Sequence, residues 1–417
     1  MKLRDEEKKM LDGALGTGPQ SAMRLLVTLG EIYGAERMIP VSSCHAGGRS
    51  YLISGEENVE WMNDLLSGGA HFRILTSTNP CSVDMERWRE MGLPENLVLN
   101  QRRTDETYLK MGAVPLGSCL PYQLGNLPLP GTHFAWGGSA GATFVNSVFG
   151  ARGNREGSPS VVAAAITGVT PEYGLHMKES RYGKVLVDLS GLDHSSLSLS
   201  DYSAIGSHVG RTLLDKTPVI VGLPKTLGQD QIRFLISPMP TAGAISLCHM
   251  VGITPEAPTP EIALGGKKPE NNISVGQREM RSSFQKLTTT QREEVDLVCF
   301  GCPHCSIPQI REIASLLHNQ KIHPNARLWV ATSGHLKIMA QRMGYVEIIE
   351  RAGGLVLADL CVAPGAPFHL VPGVKTVAIN SARGAYFIPG ACNVDVIFGD
   401  TKDCVQAALT GKWRGSR

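Results

Sequence analysis

Residues 295–305 read Val-Asp-Leu-Val-Cys-Phe-Gly-Cys-Pro-His-Cys, an apolar run followed at once by a loop rich in thiols. The apolar run predicts a buried strand, and the pattern that begins at Ile307 predicts a helix directly after the loop. Open α/β sheets bind their ligands outside the carboxyl ends of the strands. The stretch therefore indicates an α/β fold with a candidate site at the end of one strand.

The alternation of strand and helix continues through the rest of the chain. Strands and helices are predicted in turn over 295–300, 307–317, 327–332, 335–343, 354–359, 375–380, 394–398 and 404–409. Cys302, Cys361 and the run Asn380-Ser381-Ala382-Arg383 each follow a predicted strand. This regularity is typical of a doubly wound domain, which we place at residues 293–417.

The preceding region, residues 1–292, follows the same plan less regularly. Helices are predicted over 10–32 and 59–67 and strands over 37–43 and 72–77, with glycine-rich or proline-rich loops after the strands. A more polar stretch, residues 254–292, predicts a domain junction or a surface insertion. The expected fold class is α/β throughout, because strands that alternate with helices form parallel sheets.

Composition limits the class of protein and its partners. Of the 417 residues, 42% are hydrophobic and 19% are charged, as in soluble globular proteins. A formal net charge of +2 without a basic run gives no reason to expect nucleic acid or a membrane as a partner. Residues 1–10 alternate in charge and do not predict a secretory signal. With ten cysteines, the chain is expected in the cytoplasm, where thiols stay reduced and can bind metal.

The thiols of Cys299, Cys302 and Cys305 can hold iron or zinc, because thiolates are soft donors and a two-residue gap lets two sulfurs reach one centre. A ferredoxin-type run needs a fourth cysteine soon afterwards, and residues 306–309 contain none. Three further cysteines stand in turn-like sequence: Cys119, Cys361 and Cys392. The residues alone leave the ligand set open, since cysteine is also a small buried hydrophobic side chain.

Residues 152–160, Arg-Gly-Asn-Arg-Glu-Gly-Ser-Pro-Ser, predict a second chemical feature. Ser158 suits a helix N-cap and Pro159 the first helical position. The free N–H groups of the helix start, together with Arg152 and Arg155, would form a cradle for an anion. The alternative is a capped helix whose arginines pair with internal carboxylates.

Several motifs in one order resemble the large subunit of the aconitase X family. They are Ala151-Arg152-Gly153-Asn154-Arg155-Glu156-Gly157, Gly174-Leu175-His176, Gly301-Cys302-Pro303-His304 and Asn380-Ser381 with a basic residue at 383. The resemblance extends from residues 30–37 to residues 410–413. The family includes mevalonate 5-phosphate dehydratases of archaea and cis-3-hydroxy-L-proline dehydratases of bacteria. It implies an aconitase-like body of up to three α/β sub-domains.

The resemblance further implies a hydro-lyase with an iron–sulfur cluster, 4Fe-4S or alternatively 2Fe-2S. The cysteines that best match the family's motifs are Cys119, Cys302 and Cys361, so the remaining candidates Cys299, Cys305 and Cys392 would not be ligands. Three thiolates leave one iron atom unsaturated, and such an iron is a Lewis acid for a departing hydroxyl group. The expected reaction is loss of water from a small anionic hydroxy acid resembling mevalonate 5-phosphate, with cis-3-hydroxy-L-proline as the alternative.

The other candidate site residues fall into two groups. Candidates for acid, base or orienting donor are His45, His176 and His304, with Arg383 at the position where the family usually has lysine. Candidates for binding the substrate are Asn146, Arg152, Arg155, Ser158 and Ser381. Hydrogen-bonded structural roles are the alternative for the histidines and asparagines, because such roles are common.

The chain departs from the family's pattern at two further positions. Gly137 stands where many members have glutamate, and Gly117 stands where members usually have a second cysteine. The missing carboxylate makes a non-catalytic metal-binding paralogue the competing hypothesis. In the family the base is thought to be a serine on a separate swivelling domain. We expect that domain on another chain, so the resemblance implies a small swivel-domain partner subunit.

Overall fold

A computed structural model describes residues 1–415 as three consecutive regions of helices and mostly parallel strands. The first region contains α1 (Asp5–Leu11), α2 (Thr17–Ile32), β1 (Met38–Pro40), β2 (Cys44–Ala46), α3 (Tyr51–Ser67), β3 (Thr76–Thr78), α4 (Trp88–Met91), α5 (Glu95–Lys110), β4 (Ala135–Trp136), α6 (Ser139–Val148), α7 (Ser158–Thr167) and β5 (Val169–Pro171). Its three-stranded parallel sheet has the order β3-β2-β4, and β1 pairs antiparallel with β5.

The helix predicted over 10–32 is two helices in the structure. Gly13 and Gly16 adopt φ angles of +82° and +106°, which glycine adopts readily, and they separate α1 from α2. Helix α2 buries Met23 and Leu26 in a core that also contains side chains of α3 and α7. Helix α7 packs in turn on β2 and β4, so this core supports the small sheet.

The second region contains β6 (Val185–Asp188), α8 (Leu199–Leu213), β7 (Pro218–Val221), α9 (Gln229–Ile236), α10 (Met239–Ala242), β8 (His249–Met250), α11 (Pro260–Ala263), β9 (Asn271–Ser274) and α12 (Gln277–Leu287). Its four strands are parallel and have the order β8-β7-β6-β9. The prediction of a junction or insertion over 254–292 is wrong, because β9 belongs to this sheet and α12 packs on α8. The stretch is polar because β9 is a largely exposed edge strand and α12 buries only one face.

The third region contains β10 (Leu297–Phe300), α13 (Ile307–Leu317), β11 (Arg327–Thr332), α14 (Gly334–Arg342), α15 (Tyr345–Arg351), β12 (Leu355–Ala358), β13 (Thr376–Ile379), α16 (Ala382–Cys392), β14 (Asp395–Phe398) and α17 (Thr401–Thr410). All five strands are parallel, in the order β12-β11-β10-β13-β14. The order reverses direction between β10 and β13, which is the topological switch point where such sheets bind ligands.

The predicted α/β fold class with a doubly wound final unit is confirmed by this architecture. No helix within residues 1–415 is both long enough and apolar enough to cross a lipid bilayer. The domain boundary that we predict between residues 292 and 293 stays a prediction. What matters for the site is that the loops after β10 and β13 lie side by side at the switch point.

Candidate active site

Three cysteines from three separate loops line one cavity of about 270 Å³. Cys119 comes from the first region, whereas Cys302 follows β10 and Cys361 follows β12 in the third region. The cavity is also lined by residues that end β2, β3 and β4, namely Gly47, Asn79 and Gly137. It therefore lies between the carboxyl ends of two parallel sheets. We call it the cysteine cavity.

Of the three neighbouring cysteines at 299, 302 and 305, only Cys302 lines this cavity. Cys299 is buried in the large apolar core to which all three regions contribute, and Cys305 is buried in a second apolar cluster within the third region. Cys392, on α16, has its thiol directed to the carbonyl oxygen of Ala366 at 3.3 Å. Of the cysteines considered from the sequence, Cys119, Cys302 and Cys361 are the three that line the cavity.

Backbone pairing and one buried arginine fix the loops that carry the thiols. Cys361 N–H donates to the carbonyl oxygen of Cys81 at 2.7 Å, which ties the loop after β12 to the first region. The guanidinium of Arg233, only 2% exposed, donates to the carbonyl oxygen of His304 at 2.9 Å. His304 N–H in turn points to the Cys119 sulfur at 3.3 Å. The two thiol loops are therefore positioned relative to one another before any ligand binds.

Glycines allow the close approaches that this arrangement needs. Gly301 has a φ of +120°, and a Cβ there would lie 2.4 Å from the carbonyl oxygen of Ala331. Gly117, at the position of the family's second cysteine, has a φ of +56° and faces the Asp359 carboxyl group. A Cβ at Gly117 would lie 2.2 Å from Asp359 Cγ, so a cysteine does not fit there while Asp359 keeps its place.

Opposing effects act on the pKa values of the three thiols. Burial raises the pKa of each, that of Cys302 to about 12. The guanidinium of Arg383 opposes this for all three, since a nearby positive charge favours thiolate. Backbone N–H groups add to it, from His304 at Cys119 and from Gly365 and Ala363 at Cys361. Burial is the largest effect, so the free thiols stay protonated at pH 7, and Arg383 and the N–H groups offset part of the cost of forming a thiolate.

Arg383 and Ser381 lie where the sequence predicts, at the start of α16. Ser381 Oγ accepts a hydrogen bond from Gly384 N–H as the N-cap and also faces the Cys302 thiol. Arg383 lines the cysteine cavity and is held by the Ser237 carbonyl oxygen and the Thr241 hydroxyl of the second region. All three regions therefore contribute to this site.

His45 and Asn79 form a buried network behind the cavity wall. Asn126 Nδ2 donates to Ser77 Oγ at 2.7 Å, which leaves the Ser77 hydroxyl to donate to His45 Nδ1 at 2.8 Å. His45 Nε2–H then donates to Asn79 Oδ1 at 2.6 Å. Burial lowers the pKa of His45 to about 4, so the ring is neutral at pH 7. The network leaves Asn79 Nδ2 as the donor that this side chain can offer to the cavity.

His304 lies in the cysteine cavity with one ring nitrogen committed. Its Nε2–H donates to the Leu360 carbonyl oxygen at 2.9 Å, and its Nδ1 is buried without a hydrogen-bond partner among residues 1–415. Burial lowers the pKa of His304 to about 4. Because Nδ1 is enclosed by the protein, a ligand in the cavity would reach it only after a shift of the ring.

The remaining candidates from the sequence lie outside this cavity. Asn146 uses its whole amide as a clamp, donating to Gly153 O at 2.7 Å and accepting from Gly153 N–H at 3.0 Å. His176 faces His133, with 3.0 Å between their Nδ1 atoms, and Arg152 lies nearby. Arg155 is exposed and donates to the Pro240 carbonyl oxygen at 2.9 Å.

Ser158 begins α7 and lines a neighbouring cavity. The N-cap is Gly157 and Ser158 is the first helical residue, so the helix begins one residue earlier than the sequence predicts. Arg152 and Arg155 line neither the cavity that Ser158 lines nor the cysteine cavity. The structure therefore does not bring the residues of the predicted anion cradle together. The assignments of these residues to substrate binding stay predictions.

The start of α6 is a feature that sequence reasoning missed. Gly138, Ser139, Ala140 and Gly141 all line the cysteine cavity. The first N–H groups of a helix have no partner within the helix and attract anions. The sequence feature that could have predicted it is the glycine-rich run after Trp136. From the sequence this run is interpreted as a difference from the family and not as a binding feature.

The chemistry of the donor set fits an iron–sulfur cluster better than a single ion. No group of three or more His, Cys, Asp or Glu side chains in the part of the chain that the structure describes is arranged to hold one metal ion. A cluster instead binds each thiolate at a different iron atom, so its ligands border a cavity. Three thiols, the Arg383 charge and N–H groups directed to sulfur suit such a cluster.

Family models cover nearly the whole chain. The aconitase X first, second and third domains match residues 1–179, 183–285 and 295–410. A crystal structure of aconitase X from Thermococcus kodakaraensis in its holo-form superposes with a TM-score of 0.87 at 33% sequence identity, covering 98% of this chain and 100% of that one.

Similar proteins with assigned activities are dehydratases. The phosphomevalonate dehydratase large subunit of Methanocaldococcus jannaschii is 40% identical over 97% of this chain and 100% of its own length. That of Methanothermobacter thermautotrophicus is 39% identical over 96% and 97%. The cis-3-hydroxy-L-proline dehydratase of Pseudomonas aeruginosa is 30% identical over 97% of this chain and 70% of its own. The prediction of a hydro-lyase is confirmed.

Proposed function

Since this chain belongs to the aconitase X family, we propose that it is the large subunit of an iron–sulfur dehydratase acting on a hydroxy acid that resembles mevalonate 5-phosphate. The observation that carries the proposal is that Cys119, Cys302 and Cys361 line one cavity together with Arg383. A non-catalytic metal-binding paralogue would need the three thiols but would have no need for a guanidinium and a helix start in the same cavity. The competing non-catalytic hypothesis is therefore weaker.

In this proposal Cys119, Cys302 and Cys361 hold the cluster. When bound, the cluster supplies a Lewis acid that assists departure of the substrate hydroxyl group. The chain's own residues prepare the site for it. His304 N–H points to the Cys119 sulfur at 3.3 Å, and Arg383 stabilises negative charge on all three sulfurs.

The anionic group of the substrate would bind between Arg383 and the start of α6. The Arg383 guanidinium can form a two-point contact with a carboxylate, and its hydrogen bond to Thr241 keeps it in place. The free N–H groups at Ser139 to Gly141 face the same cavity. Asn79 Nδ2, oriented by neutral His45, is a further donor. Together these groups orient the substrate, and their fixed hydrogen-bond donors replace the water molecules that solvate its anionic group.

The proton on the adjacent carbon needs a base. His304 lines the cavity, but its unpaired Nδ1 is buried, and burial disfavours the charged imidazolium that proton removal would create. We therefore assign the base to a small partner subunit, as the names of the M. jannaschii and M. thermautotrophicus relatives suggest. We expect the complex to work in the cytoplasm.

An assay with defined subunits tests the proposal. The chain is reconstituted anaerobically with and without a swivel-domain small subunit, and dehydration of mevalonate 5-phosphate and cis-3-hydroxy-L-proline is followed. We expect turnover of mevalonate 5-phosphate by the complex and little by the chain alone. If the complex turned over cis-3-hydroxy-L-proline but not mevalonate 5-phosphate, the proline derivative would become the proposed substrate. Full activity of the chain in a preparation shown by mass spectrometry to lack the small subunit would place the base on this chain, with His304 first to test.

A further inference from the structure

The guanidinium of Arg383 has one nitrogen bound to the second region and a free edge. Its Nη1 donates to the carbonyl oxygen of Ser237 at 3.4 Å and to the hydroxyl group of Thr241. Its Nε and Nη2 donate to no group within residues 1–415, and neither atom is enclosed by the protein. Because Arg383 lines the cysteine cavity, the edge formed by Nε and Nη2 is the part of this side chain that a ligand can reach.

The Thr241 hydroxyl group is a hydrogen-bond acceptor for Arg383. It donates its own proton to the Ser237 carbonyl oxygen at 3.5 Å and therefore presents a lone pair to Arg383 Nη1. Ser237 is the C-cap residue of α9, and the free carbonyl groups of a helix C-terminus favour a positive charge beside them. Thr241 does not itself line the cysteine cavity, so its route to a ligand there is through Arg383.

An aromatic ring lies against the same guanidinium. Phe387 follows Arg383 by about one turn of α16, and the Arg383 Cζ atom lies 5.1 Å from the centre of the Phe387 ring. At this distance the face of the ring attracts the positive charge. The contacts at Nη1 and at the ring together restrict rotation of the guanidinium, so the direction of its free edge is set before a ligand binds.

Two fully buried serines of α8 hold the start of α16 against the second region. Ser200 Oγ donates to the Asn380 carbonyl oxygen at 2.9 Å. Ser203 Oγ accepts a hydrogen bond from Ala382 N–H, also at 2.9 Å. Helix α8 packs in turn on α9 and α10. The hydrogen bond that Thr241 makes across this junction is therefore held on both sides by packed elements.

The chemistry of the proposed substrate indicates which group the free edge of Arg383 binds. The charge of Arg383 acts on all three thiols of the cavity, so a group that it binds lies near the hydroxyl group that leaves. In mevalonate 5-phosphate a single methylene group separates the carboxylate from the carbon that carries this hydroxyl group, whereas the phosphate is farther away. The parallel N–H groups of a guanidinium edge also match the two oxygen atoms of a carboxylate. The carboxylate is therefore the group expected at Arg383.

We propose that Thr241 is a positioning residue for the dehydration: by holding Nη1 of Arg383, it directs the edge formed by Nε and Nη2 to the substrate carboxylate. The proposal rests on the proposed function, because it takes the substrate to be a carboxylate bound in the cysteine cavity. It makes the second region, which contributes none of the three cysteines that line this cavity, a part of substrate recognition.

Calorimetric binding to the anaerobically purified, cluster-containing chain tests the proposal. The probes are mevalonate, which has a carboxylate and no phosphate, and mevalonate 5-phosphate, which has both. Thr241→Val removes the hydroxyl group, Thr241→Ser keeps it, and Thr212→Val changes an exposed threonine of α8 as the matched control. Thr241→Val is also made in an Arg383→Ala background. Visible absorbance and circular dichroism verify the cluster and the fold in each sample.

We expect Thr241→Val to weaken binding of both probes about threefold to tenfold, the equivalent of one hydrogen bond. Thr241→Ser should bind both probes like wild type, and Thr212→Val should stay within about twofold, as is usual for surface changes. In the Arg383→Ala background, Thr241→Val should change the affinities by less than about twofold. A residue that acts through the guanidinium has no further effect once the guanidinium is gone.

Equal affinities of wild type and Thr241→Val for both probes would overturn the proposal, and so would a wild type that binds neither probe. An equal loss of affinity with and without Arg383 would also overturn it, because Thr241 would then have a general structural role. A loss confined to mevalonate 5-phosphate would place the phosphate at Arg383 and overturn the assignment of the carboxylate.

Turnover of mevalonate 5-phosphate is measured separately, with the small subunit added. The expected binding pattern without turnover would contradict the proposed function and leave the role of Thr241 standing. Turnover with equal affinities of wild type and Thr241→Val would contradict the role of Thr241 and leave the proposed function standing.

Discussion

Replacing His45 by glutamine should change the pH dependence of stability in a defined direction. His45 is fully buried, with Nδ1 at 2.8 Å from Ser77 Oγ and Nε2 at 2.6 Å from Asn79 Oδ1. Burial lowers the pKa of His45 from 6.5 to about 4 in the folded chain. Between these values the unfolded chain takes up a proton that the folded chain refuses, so stability falls as the pH drops.

The size of the effect follows from the two pKa values. Integrating proton uptake between pH 8 and pH 5 gives roughly 2 kcal/mol of stability lost through this one residue. At pH 8 the wild type should be more stable than His45→Gln, because the variant disturbs a buried hydrogen-bond network. That gap should narrow by about 2 kcal/mol by pH 5, because the variant has no group there to protonate.

Urea unfolding of the chain at a series of pH values, followed by circular dichroism, measures the gap. His318→Gln, a change at an exposed histidine, serves as control and should leave the pH dependence close to that of wild type. A gap that stays constant from pH 8 to pH 5 would refute the reasoning. So would an imidazole titration of His45 near pH 6.5 in a nuclear magnetic resonance experiment on the folded chain.

Two further substitutions test the cavity and its support. Arg383→Ala should raise the Michaelis constant of the cluster-containing fraction about tenfold or more, since a charge-assisted contact to the substrate is lost. Arg342→Ala, at an exposed site, should leave the Michaelis constant unchanged. An unaltered Michaelis constant for Arg383→Ala would remove this residue from substrate binding. Arg233→Met should lower the free energy of unfolding by about 3–5 kcal/mol, because it removes the ion pair to Asp230 at 2.8 Å and leaves that carboxylate with only the Ser306 hydroxyl as a partner among residues 1–415. It should also reduce bound iron, because the His304 carbonyl oxygen loses its contact to Arg233. Arg278→Met, a change at an exposed arginine, is the control. A free energy of unfolding for Arg233→Met equal to that of Arg278→Met would contradict the prediction.

Local patterns in the sequence determine much of the third region. Helix α13 and strand β11 have the bounds that periodicity predicts, since each is flanked by clear capping or loop residues. Helix α16 is harder to predict, because it contains Pro389 and Gly390. The stretch 254–292 misleads because an exposed edge strand looks like a loop in composition.

The site is predictable only in part, because its contacts join residues far apart in the chain. Motifs were enough to select Cys119, Cys302 and Cys361, and the structure brings these together. From the sequence, Asn79 is predicted to be a turn residue. Its proposed role as a donor depends on a hydrogen bond from His45, which lies on the adjacent strand β2. The binding role of α6 depends on where its first turn points, which composition does not encode. Thr241 lies outside the family motifs, and its contact to Arg383 is visible only in three dimensions.

Iron and visible absorbance in single cysteine variants bear most directly on the proposed cluster. Serine is introduced separately at Cys119, Cys302, Cys361 and Cys305, and each chain is purified anaerobically beside the wild type. Because the first three line the cysteine cavity and Cys305 is buried in an apolar cluster, each of the first three changes should abolish the brown colour and bound iron. Cys305→Ser should retain both. A colourless Cys305→Ser chain together with a coloured Cys119→Ser chain would contradict the proposed ligands and return the metal to the local run of cysteines.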